Sequence, residues 1–313
     1  MKNSILVLLA FTSFNVFAWG KRGHQIVGEN AALLVSSEPE AGFMRDRSFD
    51  FGYYANVPDI IWKRPKTYEK ERNQHFMDME HFDKAFAANS SVTKPFEIPR
   101  KDFEAKFPEL KENAGRAYWR VREMNDKLTE LTKQLRELPE PKGKARRAWQ
   151  EKWLVLAGTM GHYIGDLAQP LHVTENYDGQ LTGQKGIHAY FEDEAVDQLY
   201  PAIGYDVHKR AMKRWPDFKK KNADKSVLQL MEDLAKTSNG RLPELLKLDK
   251  GGDRADVKKM AGRYRDLIED CLVDGVLTLA EIYRRQLGWK FDGEKFYFFS
   301  GEPEFIAPGA TSR

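Results

Sequence analysis

Residues 161–173 read "GHYIGDLAQPLHV" and place His162, Asp166 and His172 at spacings of four and six. If 149–167 is helical, His162 and Asp166 lie one turn apart on one face. Pro170 then stops the helix and lets His172 return to that face. Imidazole nitrogen and carboxylate oxygen so arranged suit a divalent ion of borderline softness, Zn²⁺ first among them. One His-x-x-x-Asp is by itself an ordinary helix-surface pair. Here the pattern recurs. His188 and Glu192 stand four apart in "GIHAYFEDE", and Asp59 and His75 share "VPDIIWKRPKTYEKERNQHFMD". "WGKRGH" carries Trp19 and His24, so five of the seven histidines fall in such clusters. His81 and His208 fall outside them and read as structural or surface residues.

The elements that must position these residues are helical. Ile26, Ala31, Leu33 and Leu34 begin an apolar face. The spacing of Trp119, Val121, Met124, Leu128, Leu131 and Leu135 predicts a long helix over 110–138. "PEPKGK" (139–144) breaks it. A second long helix is expected over 145–168. A third is expected over 260–286, with Tyr264, Ile268, Cys271, Leu272, Leu279 and Ile282 on one face. Strand signals are confined to 290–306, where Asp292-Gly293 suits a short hairpin. The fold class is therefore all-α.

Residues 1–18 have a basic start, an apolar middle and "VFA" before Trp19, which fits a cleavable secretory signal. On that reading residues 19–313 are the folded domain, and the chain is exported, to a periplasm or beyond the cell. The 41% apolar content is ample for a core, and the single cysteine, Cys271, excludes an intramolecular disulfide. Removing Lys2 leaves 49 basic against 47 acidic residues. Bulk charge therefore does not argue for a polyanionic partner.

The order Trp19, Gly-x-x-Gly-His24, Asp59, His75-Phe-Met-Asp, His162-x-x-x-Asp166-x-x-Gln-Pro-Leu-His172, His188-x-x-x-Glu192 resembles the superfamily of zinc-dependent phospholipases C and fungal and plant single-strand-specific nucleases. The likeness runs from residue 19 to about 200 and implies that superfamily's all-α fold. It implies three zinc ions per chain. Asp59, His75, His162 and Asp166 would hold the first, and His172, His188 and Glu192 the second. The Trp19 α-amine and carbonyl, His24 and a bridging Asp166 would hold the third. An α-amine titrates near pH 7.7–8.0, so a metal displaces its proton easily. It becomes a ligand only once the segment before Trp19 is removed. Asp59 and Asp166 thereby carry the catalytic centre, in which zinc activates a water for attack on phosphorus.

Two substrates follow from the resemblance. As a nuclease on RNA and single-stranded DNA, the chain would use Phe76 and Asp78 to stack on and hydrogen-bond a base; stacking contributes about 1–3 kcal/mol. The Trp19-to-His24 spacing is the nuclease pattern. As a phospholipase C on a lipid surface, it would use Glu192, the carboxylate found in that branch, and the short interval from His172 to His188. Against the phospholipase stand Lys21-Arg22 and Ile60, where that branch has an acid and an aromatic. Against the nuclease stands Trp62, where that branch has an arginine; Lys63 and Arg64 follow as replacement cations. The nuclease reading leads, and no stable protein partner is implied. Segment 82–147 is longer than either branch requires and reads as a helical insertion. A purely structural zinc module ranks third, because structural sites are usually closed Cys/His sets.

Overall fold

The longest helix starts where the Asp256 side chain accepts the Lys259 N–H, an N-cap satisfying one of the free amides of a first turn. The helix before it starts with a capping box between Ser226 and Gln229. These belong to a computed structural model that describes residues 19–88, 97–110, 114–137, 144–291 and 303–309. The helices in chain order are α1 (Lys21–Val35), α2 (Gly42–Asp46), α3 (Ser48–Tyr54), α4 (Tyr68–Glu71), α5 (Met79–Ala88) and α6 (Arg100–Lys106). After them come α7 (Ala117–Glu137), α8 (Lys144–Ala168), α9 (Ile187–Ala189), α10 (Ala195–Leu199), α11 (Ala202–Lys221), α12 (Val227–Lys250) and α13 (Val257–Arg285). Among the described residues the only β pairing is an isolated bridge between Met77 and Gly115. The chain is a single all-α domain. No described helix is long and apolar enough to cross a membrane.

α13 is the axis. It packs against α1, α8, α10, α11 and α12. The sequence predicts one apolar face for it, yet every residue from 271 to 283 is buried. Its polar members are paired inside: Glu281 with Arg284 and Arg285, Asp274 with Arg241 and Arg214. Cys271 lies in this core, and burial pushes its thiol up to about 12, which removes it from chemistry. Each buried large aliphatic side chain contributes about 1.5–3 kcal/mol, and a chain with one cysteine relies on that sum. Close approach depends on small residues. A Cβ on Gly28 of α1 would stand 2.6 Å from the Phe51 carbonyl oxygen of α3. One on Gly275 of α13 would meet Ala168 of α8 at 3.2 Å.

The expected helix over 110–138 begins later, at Ala117. Gly115 has φ 88, which no helix accepts, and its neighbourhood pairs with the chain around Met77. The expected second helix is α8, with Trp153 Nε1 donating to Thr132 Oγ1 of α7 at 2.8 Å. The signal over 1–18 and the turn of the hairpin over 290–306 lie outside the described residues.

Two one-turn π-helical segments interrupt this regularity, Pro58–Trp62 and Tyr190–Glu194. Such wide turns are rare and recur at functional sites. Each carries one of the chain's candidate ligands: Asp59 in the first, Glu192 in the second.

Candidate metal centre

α8 sets His162 and Asp166 on one face, at Nε2–Oδ2 3.3 Å, both fully buried. A short 3₁₀ turn, Pro170–His172, follows, opened by Gln169, whose side chain accepts the Leu171 N–H. It brings His172 back, so that Nδ1 lies 3.9 Å from Asp166 Oδ1. His75 approaches from the segment after α4, with Nδ1 2.8 Å from His162 Nε2, 3.2 Å from Asp166 Oδ2 and 3.7 Å from Asp59 Oδ1. His24 of α1 stacks on His162 with ring centroids 3.9 Å apart, its Nε2 3.5 Å from Asp166 Oδ1. His188 and Glu192 close the far side: His188 Nε2 lies 2.9 Å from Glu192 Oε2 and 3.0 Å from His172 Nε2.

Three groups of donor atoms result, each with its members within 4.8 Å of one another: His24/His162/Asp166, Asp59/His75/His162 and His172/His188/Glu192. The first two share His162, and Asp166 contacts residues of all three. Trp19 is buried beside them, its ring 5.6 Å from Phe191, and the Gly20 N–H donates to the Glu192 carbonyl at 3.2 Å.

The ring orientations are specific. His162 Nδ1 lies 2.8 Å from the Ala55 carbonyl, His172 Nδ1 2.6 Å from that of His75, and His188 Nδ1 2.7 Å from that of Tyr177. A carbonyl only accepts, so each Nδ1 carries a proton, and the inner Nε2 of neutral His162 and His172 is left to present a lone pair, while that of His188 faces the Glu192 carboxylate. Metal-ligating histidines are held in this way.

Electrostatics point the same way. Asp59, Asp166 and Glu192 are buried around one cation, the Lys63 ammonium, which lies 2.7 Å from Asp59 Oδ1. Burial, then the nearby Asp59 charge, drives the Asp166 carboxyl well above its ordinary range. Burial opposes the Lys63 ammonium, but Asp59, Asp166 and Glu192 outweigh it and hold its pKa above normal. Burial first, then neighbouring imidazoles and Lys63, keeps His24, His75 and His162 well below the usual histidine value, as neutral ligands must be. His188 is the exception: Glu192 overcomes burial and raises it. Both Asp166 oxygens, Glu192 Oε1 and both His24 nitrogens are buried without a hydrogen-bond partner among the described residues. Buried groups of this kind carry a large desolvation cost unless they are paired or coordinate a metal. A divalent cation fits the donor set and the excess of negative charge.

The expected substrate residues divide. Lys63, four residues after Asp59 and just past the π-helical segment, enters the cluster with a side chain 12% exposed. Arg64, the next residue, is on the surface. Phe76 is half-buried, and Asp78 is buried. Burial, then the charges of Glu80 and Glu175, pushes the Asp78 carboxyl up to about 7. Those charges, not the donor cluster, surround Asp78. His81 is paired with Glu175 on the surface.

Sequence reasoning missed four supporting residues. Gln169 Nε2 donates to Glu192 Oε2 at 3.0 Å. Glu71 lies behind His75, paired with Arg120 and accepting from the Tyr163 hydroxyl. Glu71 stands four residues before His75, a readable signal; nothing local points to Arg120. No family model, no curated protein and no solved structure matches the chain.

Proposed function

We propose that the chain is an exported, zinc-dependent phosphodiester hydrolase that cleaves RNA and single-stranded DNA. The observation that carries this reading is the meeting of five histidines and three carboxylates from distant parts of the chain in one buried cluster with oriented lone pairs. Asp59, His75, His162 and Asp166 would hold one ion, His172, His188 and Glu192 a second, and His24 with Asp166 and the processed Trp19 terminus a third. Bound zinc supplies Lewis acidity and a nucleophilic water at neutral pH.

The chain's own residues supply the rest. The Lys63 ammonium, 2.7 Å from Asp59 Oδ1, would offset charge that develops on phosphoryl oxygens. Burial of the carboxylates keeps the local dielectric low, which strengthens that interaction. Phe76 offers a partly open ring for base stacking. Glu192 and the short step from His172 to His188 support the second reading, a phospholipase C.

The test is direct. Zinc-loaded protein beginning at Trp19 is incubated with denatured DNA or RNA and, separately, with phosphatidylcholine vesicles. Release of 5′-phosphorylated nucleotides without lipid cleavage is the expected result. Diacylglycerol release alone would transfer the site to the phospholipase reading.

A further inference from the structure

We propose that Glu71, clamped by Arg120 and Tyr163, is the positioning residue of the centre: it fixes the ring of His75 and strengthens that histidine as a metal ligand. The proposal rests on the reading that the cluster holds metal. His162, His172 and His188 each turn their outer nitrogen to a backbone carbonyl. His75 does not. Its Nδ1 faces Asp59, Asp166 and His162, and its buried Nε2, which has no hydrogen-bond partner among the described residues, has the Glu71 Oε1 carboxylate oxygen 3.4 Å away, close enough to pair once the ring is drawn onto a metal. A carboxylate behind an imidazole holds the outer nitrogen protonated and raises the basicity of the inner one, more than a neutral carbonyl does. His75 thus differs from those three in having a carboxylate, not a backbone carbonyl, behind its outer nitrogen.

The surroundings fix Glu71 in place. It is fully buried. Arg120 Nη2 meets Glu71 Oε2 at 3.1 Å, while the Tyr163 hydroxyl donates to Oε1, the oxygen that faces His75. Arg120 is itself buried, with its guanidinium 5.3 Å from the Tyr163 ring centroid and 5.5 Å from that of Trp62. Tyr163 adjoins His162 on α8, Trp62 adjoins Lys63, and Arg120 comes from α7. The segment that reads as an insertion in the sequence therefore reaches the interior and braces one corner of the donor cluster. Arg120 and Tyr163 thereby give both Glu71 oxygens a partner in this buried site.

Five proteins test this: wild type, Glu71→Gln, Glu71→Gln/Arg120→Met, His75→Ala and His75→Ala/Glu71→Gln. The readouts are zinc affinity by competition with a chelating dye, the melting temperature of the zinc-free protein, and the histidine ¹⁵N spectrum. Glu71→Gln is expected to weaken zinc binding about 10- to 100-fold, the usual cost of losing such a partner. The Glu71→Gln/Arg120→Met protein removes both buried charges, so its zinc-free melting temperature returns toward wild type while zinc binding stays weak. In the His75→Ala background Glu71→Gln changes zinc affinity no further, because the two act through one ring. Wild-type zinc affinity in Glu71→Gln, or additive losses with His75→Ala, overturns the proposal alone. Wild-type protein that takes up no zinc overturns the metal reading, and this one with it.

Discussion

The Nδ1 atom of His172 stands 2.6 Å from the carbonyl oxygen of His75. The backbone of one candidate ligand thus sets the ring of another, and the two belong to different donor groups. Because the tether is backbone, it survives removal of the His75 side chain. Asp166 differs: its carboxylate touches His24, His75, His162 and His172.

From this contrast, His75→Ala should lower the zinc content per chain and leave the His172/His188/Glu192 group occupied. Asp166→Ala should deplete all three groups together, with an affinity loss at least as large as the ~10- to 100-fold typical of a supporting residue. Elemental analysis after dialysis distinguishes them. Equal, complete depletion in both variants would show that the groups do not fill separately.

A second expectation concerns the scaffold. Gly28→Ala places a methyl 2.6 Å from the Phe51 carbonyl oxygen, a backbone atom that no rotamer change can move. Overpacking of this kind costs about 1–3 kcal/mol. The zinc-free protein should melt earlier, and because α1 carries His24, zinc binding should weaken too. An unchanged melting temperature would mean that α1 and α3 can separate freely.

Much of this architecture was legible because few residue types could serve. Histidines are scarce here, and pairs four apart announced themselves on α8 and around His188. The long helices α8 and α13 followed from apolar periodicity. The start of α7 did not, because Leu110, Ala114 and Ala117 continue a helical apolar pattern through Gly115, whose positive φ is a tertiary outcome. Lys63 and Arg64 were equivalent as letters. Only the π-helical turn at Pro58–Trp62 decides which cation enters. Arg120 was invisible, since its partner lies 49 residues away and a helix full of charges gave no reason to single it out.

Processing should gate metal uptake. The Gly20 N–H is tied to the Glu192 carbonyl, and Trp19 is buried against Phe191. These contacts tie residues 19 and 20 to the segment that carries Glu192, where an α-amine at residue 19 would be within reach of the donors. Protein beginning at Trp19 should hold more zinc, and be more active, than protein with one extra residue before it. Identical zinc content in the two would remove the amine from the ligand set.

Asp78 sets a pH dependence of stability. Its carboxyl is pushed up to about 7 in the fold, first by burial and then by Glu80 and Glu175, while an unfolded aspartate titrates near 3.9. The folded state holds the proton more tightly, so this contribution is fully present below about pH 4. It declines as pH rises toward 7 and is constant above that. Asp78→Asn should therefore match wild type near pH 4 and melt later at pH 8. Thermal unfolding of zinc-free protein across that range checks it, and a gain at pH 4 as large as at pH 8 would refute the assignment.

Lys63 offers the sharpest separation of binding from turnover. Its ammonium lies 2.7 Å from Asp59 Oδ1 and feels the charges of Asp166 and Glu192 as well. In the zinc-free protein it is the cation that compensates those carboxylates, so Lys63→Met should lower the zinc-free melting temperature. With zinc bound the same ammonium sits near like charge, and its removal should leave zinc affinity unchanged or tighter. Turnover should move the other way. Loss of one fixed donor aimed at developing oxyanion charge typically costs about 100- to 1000-fold in kcat, and Lys63→Arg should recover part of it. Zinc titrations and steady-state rates on the same preparations read both effects. Weaker zinc binding with unaltered kcat in Lys63→Met would assign the ammonium to holding Asp59 in place and nothing more.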